Sequence, residues 1–462
     1  MDGLLLAVAL AILLVGGAGL SALLWPRAGM VEGLGLTFLL GAATVSMASF
    51  CAGLLLPAAA LRPAVTAVCL TLGLAGWRRR RRLGVRWRFE GMEWLWCAAC
   101  AGAVGFISKK TALGPLEWDG LLVFEMKARF AFLNGGVLPT AYFLDASRAW
   151  SHPTYPLLLP LSESWLYLWL GRADQQWVKV LFPMFFAALL AMLYAASRRI
   201  GSRGPVSLVL LMCVPLVWRG GGSVGSAYAD IPLAAYYLAA IVYLLDYGRT
   251  MHARALLLSG VLMACACWLK REGALLWVFV ALLGGFEPAK RLLREVGRGA
   301  WRRVGVEALG LAGLLAPGLL VMLLWRLFLQ RMNLGYDHDF LPISLAALKA
   351  NAPFMPPVLQ FLAGEMLHSR QGLLFWPAAI GAAVYSIVTR RQVLLPAAVL
   401  GPVLAYAGVY WLSAWADRVL HAESSYPRLL LHIAPVAAVL LGSLLDRENS
   451  AKELAADASG MT

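Results

Sequence analysis

The residues of this chain that could do chemistry are few and are gathered in short polar intervals. The longest, 117–163, reads EWDGLLVFEMKARFAFLNGGVLPTAYFLDASRAWSHPTYPLLLPLSE and carries Asp119, Glu125, Lys127, Arg129, Asp145, Arg148 and His152. Carboxylates and cations held close together can move protons and grip anions. Its aromatic residues Trp118, Phe124, Phe130, Phe132 and Tyr142 suit headgroup level, with the charges turned to water or to a cavity. We read this interval as the active-site loop of a membrane enzyme. Ionisable groups recur at Asp230 after RGGGSVGSAYA, at Lys270, Arg271 and Glu272 in WLKREG, at Asp337, His338 and Asp339 in RMNLGYDHDF, and at Glu423 and Arg428 in SAWADRVLHAESSYPR.

The elements that must position these residues are apolar. With 61% hydrophobic and 14% charged residues the chain falls outside the soluble globular class, in which about a quarter of residues are charged. Apolar stretches of roughly 15–25 residues read as spans. They fall near 3–25, 35–56, 61–77, 91–108, 176–196, 205–218, 230–247, 254–269, 273–286, 306–328, 372–388, 393–412 and 427–445, about thirteen in all. The first has only Asp2 ahead of it, without a basic segment or a small-residue cleavage site, and reads as a retained helix.

The net charge of +15 raises nucleic acid as a partner, but the arginines lie between spans and not on a soluble domain. If spans alternate, Arg78–Arg82 with Arg86 and Arg88, then Arg198, Arg199 and Arg203, Arg249 and Arg254, residues 290–303, and Arg390 with Arg391 share one side. By the positive-inside rule that side is cytoplasmic. The amino terminus and the 109–155 loop are then outside and the carboxyl tail inside. The ionisable groups named above gather at outer span ends beside basic residues, and a shared outer cavity explains how such groups are tolerated there. The seven cysteines all fall in apolar spans and read as small packing residues, the pair Cys97 and Cys100 included.

Local signals organise the polar interval. Asp119 is placed as a helix N-cap, Glu125 and Arg129 form an i,i+4 pair in the favourable order, and Pro153, Pro156 and Pro160 force extended chain before a helix from about Leu157 to Leu170. That helix is too short for a comfortable span and reads as juxtamembrane. Glycine and serine runs in the first spans (GGAGLSALL, GAATVSMAS) permit close helix contacts.

EWDG, SHPTYPLLLPL with WLYLWLG, AYADIPLA, KREG and SSYPRLLLHIAP, in this order and on this side, resemble the GT-C membrane glycosyltransferases. The likeness is nearest to the branch of protein O-mannosyltransferases and lipid A aminoarabinose transferases, and covers about residues 90–290 and, more weakly, the last span. It implies an all-α polytopic bundle of about thirteen transmembrane helices with juxtamembrane helices in the first long loop. The parts are N-terminal helices with the Arg cluster (1–90), a catalytic core (91–290) with outer loop 109–175, C-terminal helices (291–445) with outer loop 329–371, and a cytoplasmic tail (446–462). It also implies transfer of a sugar from a polyprenyl-phosphate carrier to a lipid or glycan acceptor, on the outer face of a bacterial inner membrane, with membrane lipids and no nucleic acid as surroundings.

Carried over by position, the catalytic acid of the first loop is Asp119 and a second acid is Asp230. A carboxylate beside an acceptor hydroxyl can serve as general base; the structural alternative for each is helix capping, Pro232 favouring it at Asp230. Lys270, Arg271 and Arg428 are the cations expected at the donor phosphate, with headgroup contact as the alternative. His152 stands where aminoarabinose transferases carry a lysine, a departure that leaves it either a phosphate donor or a loop support. Trp118, Glu125, Lys127, Arg129, Tyr155, Glu272 and Glu423 complete the expected substrate and loop residues. Asp337, His338 and Asp339 can bind a divalent metal or simply be solvated, and beyond such a metal the residues point to no definite cofactor. A transporter or flippase of lipid-linked glycans, or a polysaccharide polymerase or ligase, shares these loops; a transporter would carry charges nearer the middle of its spans.

Overall fold

The computed structural model describes residues 1–83, 93–200, 225–334, 339–367, 374–390 and 392–459. The stretch expected as a span at 205–218, Arg86, Arg88 and Arg203, Cys213, loop residues 219–224, Asp337 and His338 lie outside them. Within them every regular element is helical, and Phe340 with Ser413 forms an isolated antiparallel bridge.

The order begins α1 (Asp2–Leu24), α2 (Met30–Leu55), α3 (Ala58–Leu83) and α4 (Glu93–Leu113). A π-helical turn, Gly120–Glu125, leads into α5 (Met126–Leu133), followed by α6 (Thr140–Leu144), a 3-10 turn (Ala146–Ser151), α7 (Leu158–Leu170), α8 (Gln175–Val178) and α9 (Leu181–Ile200). Then come α10 (Asp230–Thr250), α11 (Ala253–Leu269), α12 (Arg271–Gly297), α13 (Trp301–Arg331), α14 (Leu345–Asn351), α15 (Met355–Leu367), α16 (Phe375–Val388), α17 (Leu394–Val409) and α18 (Arg418–Ser459).

Nine helical segments among the described residues are long and apolar enough to cross a membrane, which makes the chain an all-α multi-pass membrane protein. Of the stretches expected as spans, 91–108 falls in α4, which is not among the nine; 254–269 and 372–388 fall in the shorter apolar helices α11 and α16. The remaining difference from the expected number is 205–218.

The chain packs as two units, Met1–Met192 with Gly220–Asp337, and Leu193–Arg219 with His338–Thr462. In lipid, helices gain little hydrophobic energy by meeting, so contact rests on close approach and internal hydrogen bonds. The first unit uses both. A Cβ on Gly17 would fall on the backbone of Thr37 and Gly41, so α1 and α2 meet along their small residues. The buried α7 lies on these helices: its Trp165 indole donates to the Ala9 carbonyl at 3.0 Å and its Ser162 hydroxyl to the Ala42 carbonyl at 3.2 Å.

The second unit folds segment 339–367 into α14 and α15 and ties it to the end of α17. Asn351 Nδ2 donates to the carbonyls of Trp411 and Ser413, both at 2.9 Å, and its Oδ1 accepts from Arg418. A buried Tyr406–His432 hydrogen bond of 3.0 Å joins α17 to α18.

Candidate active site

The polar interval turns helical at Trp118, so Asp119 already has helical backbone (φ −66°, ψ −36°) and its side chain makes no capping hydrogen bond. Asp230 likewise is the first helical residue of α10, with Ala229 in the cap position. Neither acid caps its helix through its side chain. Asp119 is half-buried and Trp118 is exposed. Widened π turns recur at functional sites, and this one follows Asp119 directly.

Gly120 brings this turn against the segment that leads to Asp230. A Cβ there would lie 2.9 Å from the Ser226 carbonyl oxygen and 3.0 Å from the Ala227 Cβ, and the Glu117 amide donates to the same carbonyl at 3.4 Å. Ala227 holds φ at +63°, a left-handed conformation that a side chain disfavours. The Lys110 side chain lies over neighbouring Gly225, where an added Cβ would meet its Cδ at 3.3 Å.

Asp230 is fully buried and paired. Lys270, extended between α11 and α12 (φ −154°, ψ 151°), sets its Nζ 2.8 Å from Asp230 Oδ1 and 3.1 Å from Glu272 Oε1. Arg271, half-buried, lies with its guanidinium 4.7 Å from the centre of the Tyr155 ring. The His152 ring stacks on Tyr155 at 4.8 Å, and the buried Lys127 ammonium stands 5.5 Å from the ring centre. Burial pushes the Tyr155 hydroxyl up to about 12, Glu272 adding to the effect and Arg271 and Lys270 opposing it. Seven of the expected residues thus share one neighbourhood: Asp230, Lys270, Arg271, Glu272, Tyr155, His152 and Lys127.

The loop presenting Tyr155 is anchored on three sides. Lys127 Nζ donates to the His152 carbonyl at 2.6 Å, the Trp325 indole to the Thr154 carbonyl at 2.9 Å, and Ser46 Oγ to the Leu157 carbonyl at 3.1 Å. His152 itself is left-handed, with φ +50°. Such backbone persists only where the surroundings over-determine it.

Glu125, Lys127 and Arg129, expected among the substrate and loop residues, hold the loop together. The Glu125 carboxylate is buried and accepts from Arg129 Nη2 at 3.0 Å, from the Tyr167 hydroxyl at 2.7 Å and from Gln175 at 3.2 Å. Glu163, one turn before Tyr167 on α7, is buried beside them and was not singled out by the sequence; a lone acid within an apolar helix is the signal that marks it.

Among the described residues, Arg428, Glu423 and Asp339 belong to the second unit. Arg428 is half-buried on α18, Glu423 is exposed on the same helix, and Asp339 Oδ1 accepts the Trp415 indole N–H at 3.1 Å. Among the described residues no group of three or more His, Cys, Asp or Glu is placed to hold a metal ion. The described cysteines are free thiols.

An apolar cavity of about 600 Å³ opens between α2, α3, α11 and α13, lined by Leu40, Met47, Val65, Cys265, Trp268 and Val321 among others. Trp268 also donates its indole N–H to Ser46 Oγ at 2.9 Å, and Lys270 follows two residues later. Apolar wall and ion-paired cluster are therefore adjacent along one chain segment. No family model, no characterised protein and no solved structure matches this chain.

Proposed function

We propose that this protein is an integral-membrane glycosyltransferase of the GT-C type, moving a monosaccharide from a polyprenyl-phosphate carrier to a lipid or glycan acceptor on the extracytoplasmic face of a bacterial inner membrane. The observation that carries the reading is the succession Trp268 to Arg271: an apolar cavity wall followed within one segment by a half-buried guanidinium. An anionic headgroup on a long apolar chain needs that combination. The bundle of about thirteen spans and its outer-facing loops belong to the same proposal.

In this reading the acceptor hydroxyl oxygen attacks the sugar C1 as the C1–O bond to phosphate breaks, with inversion. Asp119 takes the hydroxyl proton and the polyprenyl phosphate leaves with the bonding pair. Because Lys270 is already engaged by Asp230 and Glu272, its role is to hold that acid and the start of α12 in place. Arg271, set by Tyr155, is the group whose planar guanidinium suits the phosphate, with His152 beside it.

Asp230 and Lys270 lie at helix ends, the first residue of α10 and the junction of α11 and α12, which favours transfer chemistry over a transporter with charges at mid-span. The test is incubation of the purified protein with a panel of polyprenyl-phosphate monosaccharides. Release of free polyprenyl phosphate with at least one of them supports the reading; intact donors throughout, with carrier movement across vesicles, support the transporter.

A further inference from the structure

Glu163 lies in the middle of α7, is 1% exposed, and has neither carboxylate oxygen hydrogen-bonded. Ser162 and Trp165 of the same helix reach α2 and α1, to the Ala42 and Ala9 carbonyls. Glu163 and Tyr167, one turn apart, share another face, where the Tyr167 ring meets Phe132 of α5 at 5.9 Å and its hydroxyl reaches Glu125.

The charged groups around α7 can be assigned element by element. The π turn brings Glu125, α5 brings Arg129 and Lys127, the latter directed to the His152 carbonyl, and α8 brings the neutral Gln175. On α3, Arg62 is directed to the Leu168 carbonyl at 3.4 Å and to the Trp169 ring at 5.3 Å. Asp2 of α1 pairs with Arg172, Glu32 of α2 accepts from Tyr243, and α11 carries only Arg254, in its first turn. Among the described residues, two buried carboxylates therefore face one guanidinium on this side of α7, and that guanidinium is itself bonded to Glu125. An ionised, unbonded carboxylate in such a place costs several kcal/mol, and the ordinary remedy is a proton.

We propose that Glu163 is a proton-binding site: its side chain is a carboxylic acid at neutral pH, and loss of the proton to solvent sets two carboxylates against each other and loosens the π turn and α5 from α7. Burial first, and the Glu125 charge second, hold the Glu163 carboxyl well above the ordinary carboxylate range. A raised folded value means stability that is complete below the unfolded glutamate value of about 4.3 and is lost as pH rises through the folded one. The site ties the hold on the segment carrying Asp119 to proton concentration. It does not depend on which reaction that segment serves.

The test uses the full chain in lipid nanodiscs. Infrared difference spectra between acid and alkaline buffer should show a carboxylic-acid C=O band at neutral pH that is missing in Glu163→Gln. Thermal unfolding of Glu163→Gln should match wild type in acid and exceed it by a margin that widens as pH rises. Glu125→Gln removes the like charge, so the band should vanish at a lower pH than in wild type. Absence of the band in wild type at neutral pH, a margin that does not change with pH, or a band in Glu125→Gln that titrates as in wild type overturns the proposal. So does sodium, added at fixed pH, stabilising wild type but not Glu163→Gln, since the ligand would then be a metal cation.

Discussion

Lys270 Nζ and Asp230 Oδ1 stand 2.8 Å apart, with side chains 4% and 0% exposed, and so α11, α12 and α10 meet at one buried charge pair. Removing one member takes the nearest counter-charge from the other in a buried setting. Lys270→Met is expected to destabilise the protein by about 3–5 kcal/mol, and adding Asp230→Leu to restore much of that loss. Unfolding in detergent of the two single variants and the double variant measures the coupling; additive losses would remove the pair from its structural role.

The approach of Gly120 to Ser226 makes a sharper test of position. Gly120→Ala places a Cβ 2.9 Å from a carbonyl oxygen and must push the turn carrying Asp119 away from the segment ending at Asp230. Turnover should fall by at least tenfold with a folded protein retained, as displacement of catalytic groups by about an ångström does. Ala227→Gly, at φ +63°, should instead gain about 1 kcal/mol of stability. Equal turnover in Gly120→Ala and wild type would detach that contact from function.

Much of this arrangement is legible in the residues and some is not. Pro153, Pro156 and Pro160 anticipate a helix from about Leu157 to Leu170, and α7 spans Leu158–Leu170, because proline fixes extended chain before it and suits a first helical turn. The order of Asp119, Asp230 and Lys270 is visible as polar points in apolar text. Capping by either acid is a sound local inference that the chain does not follow: Trp118 turns helical one residue ahead of Asp119, and Ala229 takes the cap position ahead of Asp230. Glu163 is hidden because its neighbours Glu125 and Arg129 lie 38 and 34 residues away in sequence. Only the packing of α5 on α7 puts them together.

Tyr155 links His152, Arg271 and Lys127 through its ring, while its hydroxyl is pushed up to about 12. Tyr155→Ala should weaken binding of a polyprenyl-phosphate sugar by about tenfold, the range of one or two cation–π contacts, and Tyr155→Phe by much less. The raised value gives a pH signature too. Stability contributed by the protonated hydroxyl is complete below the unfolded tyrosine value of about 10 and is lost as pH rises through about 12, a decline that Tyr155→Phe should lack in alkaline unfolding curves.

Sidedness is open to direct measurement. With the arginine clusters inside, a single cysteine in place of Asp145 should react with an impermeant thiol reagent in intact cells and one in place of Arg80 should not. The reverse pattern would invert the topology and place the cluster around Lys270 on the cytoplasmic side.

The central claim concerns the carboxylate of Asp119 acting on a polyprenyl-phosphate sugar. Asparagine keeps the size of aspartate and a side-chain oxygen that can accept the same hydrogen bonds, so Asp119→Asn should express and unfold much as wild type does. With the donor that wild type cleaves, the decisive quantity is the rate of sugar transfer to acceptor, followed by release of polyprenyl phosphate. The account predicts a fall of about 10²–10⁴-fold in Asp119→Asn with donor binding retained, the loss typical of a removed general base. A variant that keeps more than about a tenth of the wild-type rate, far above what such a loss allows, would contradict it.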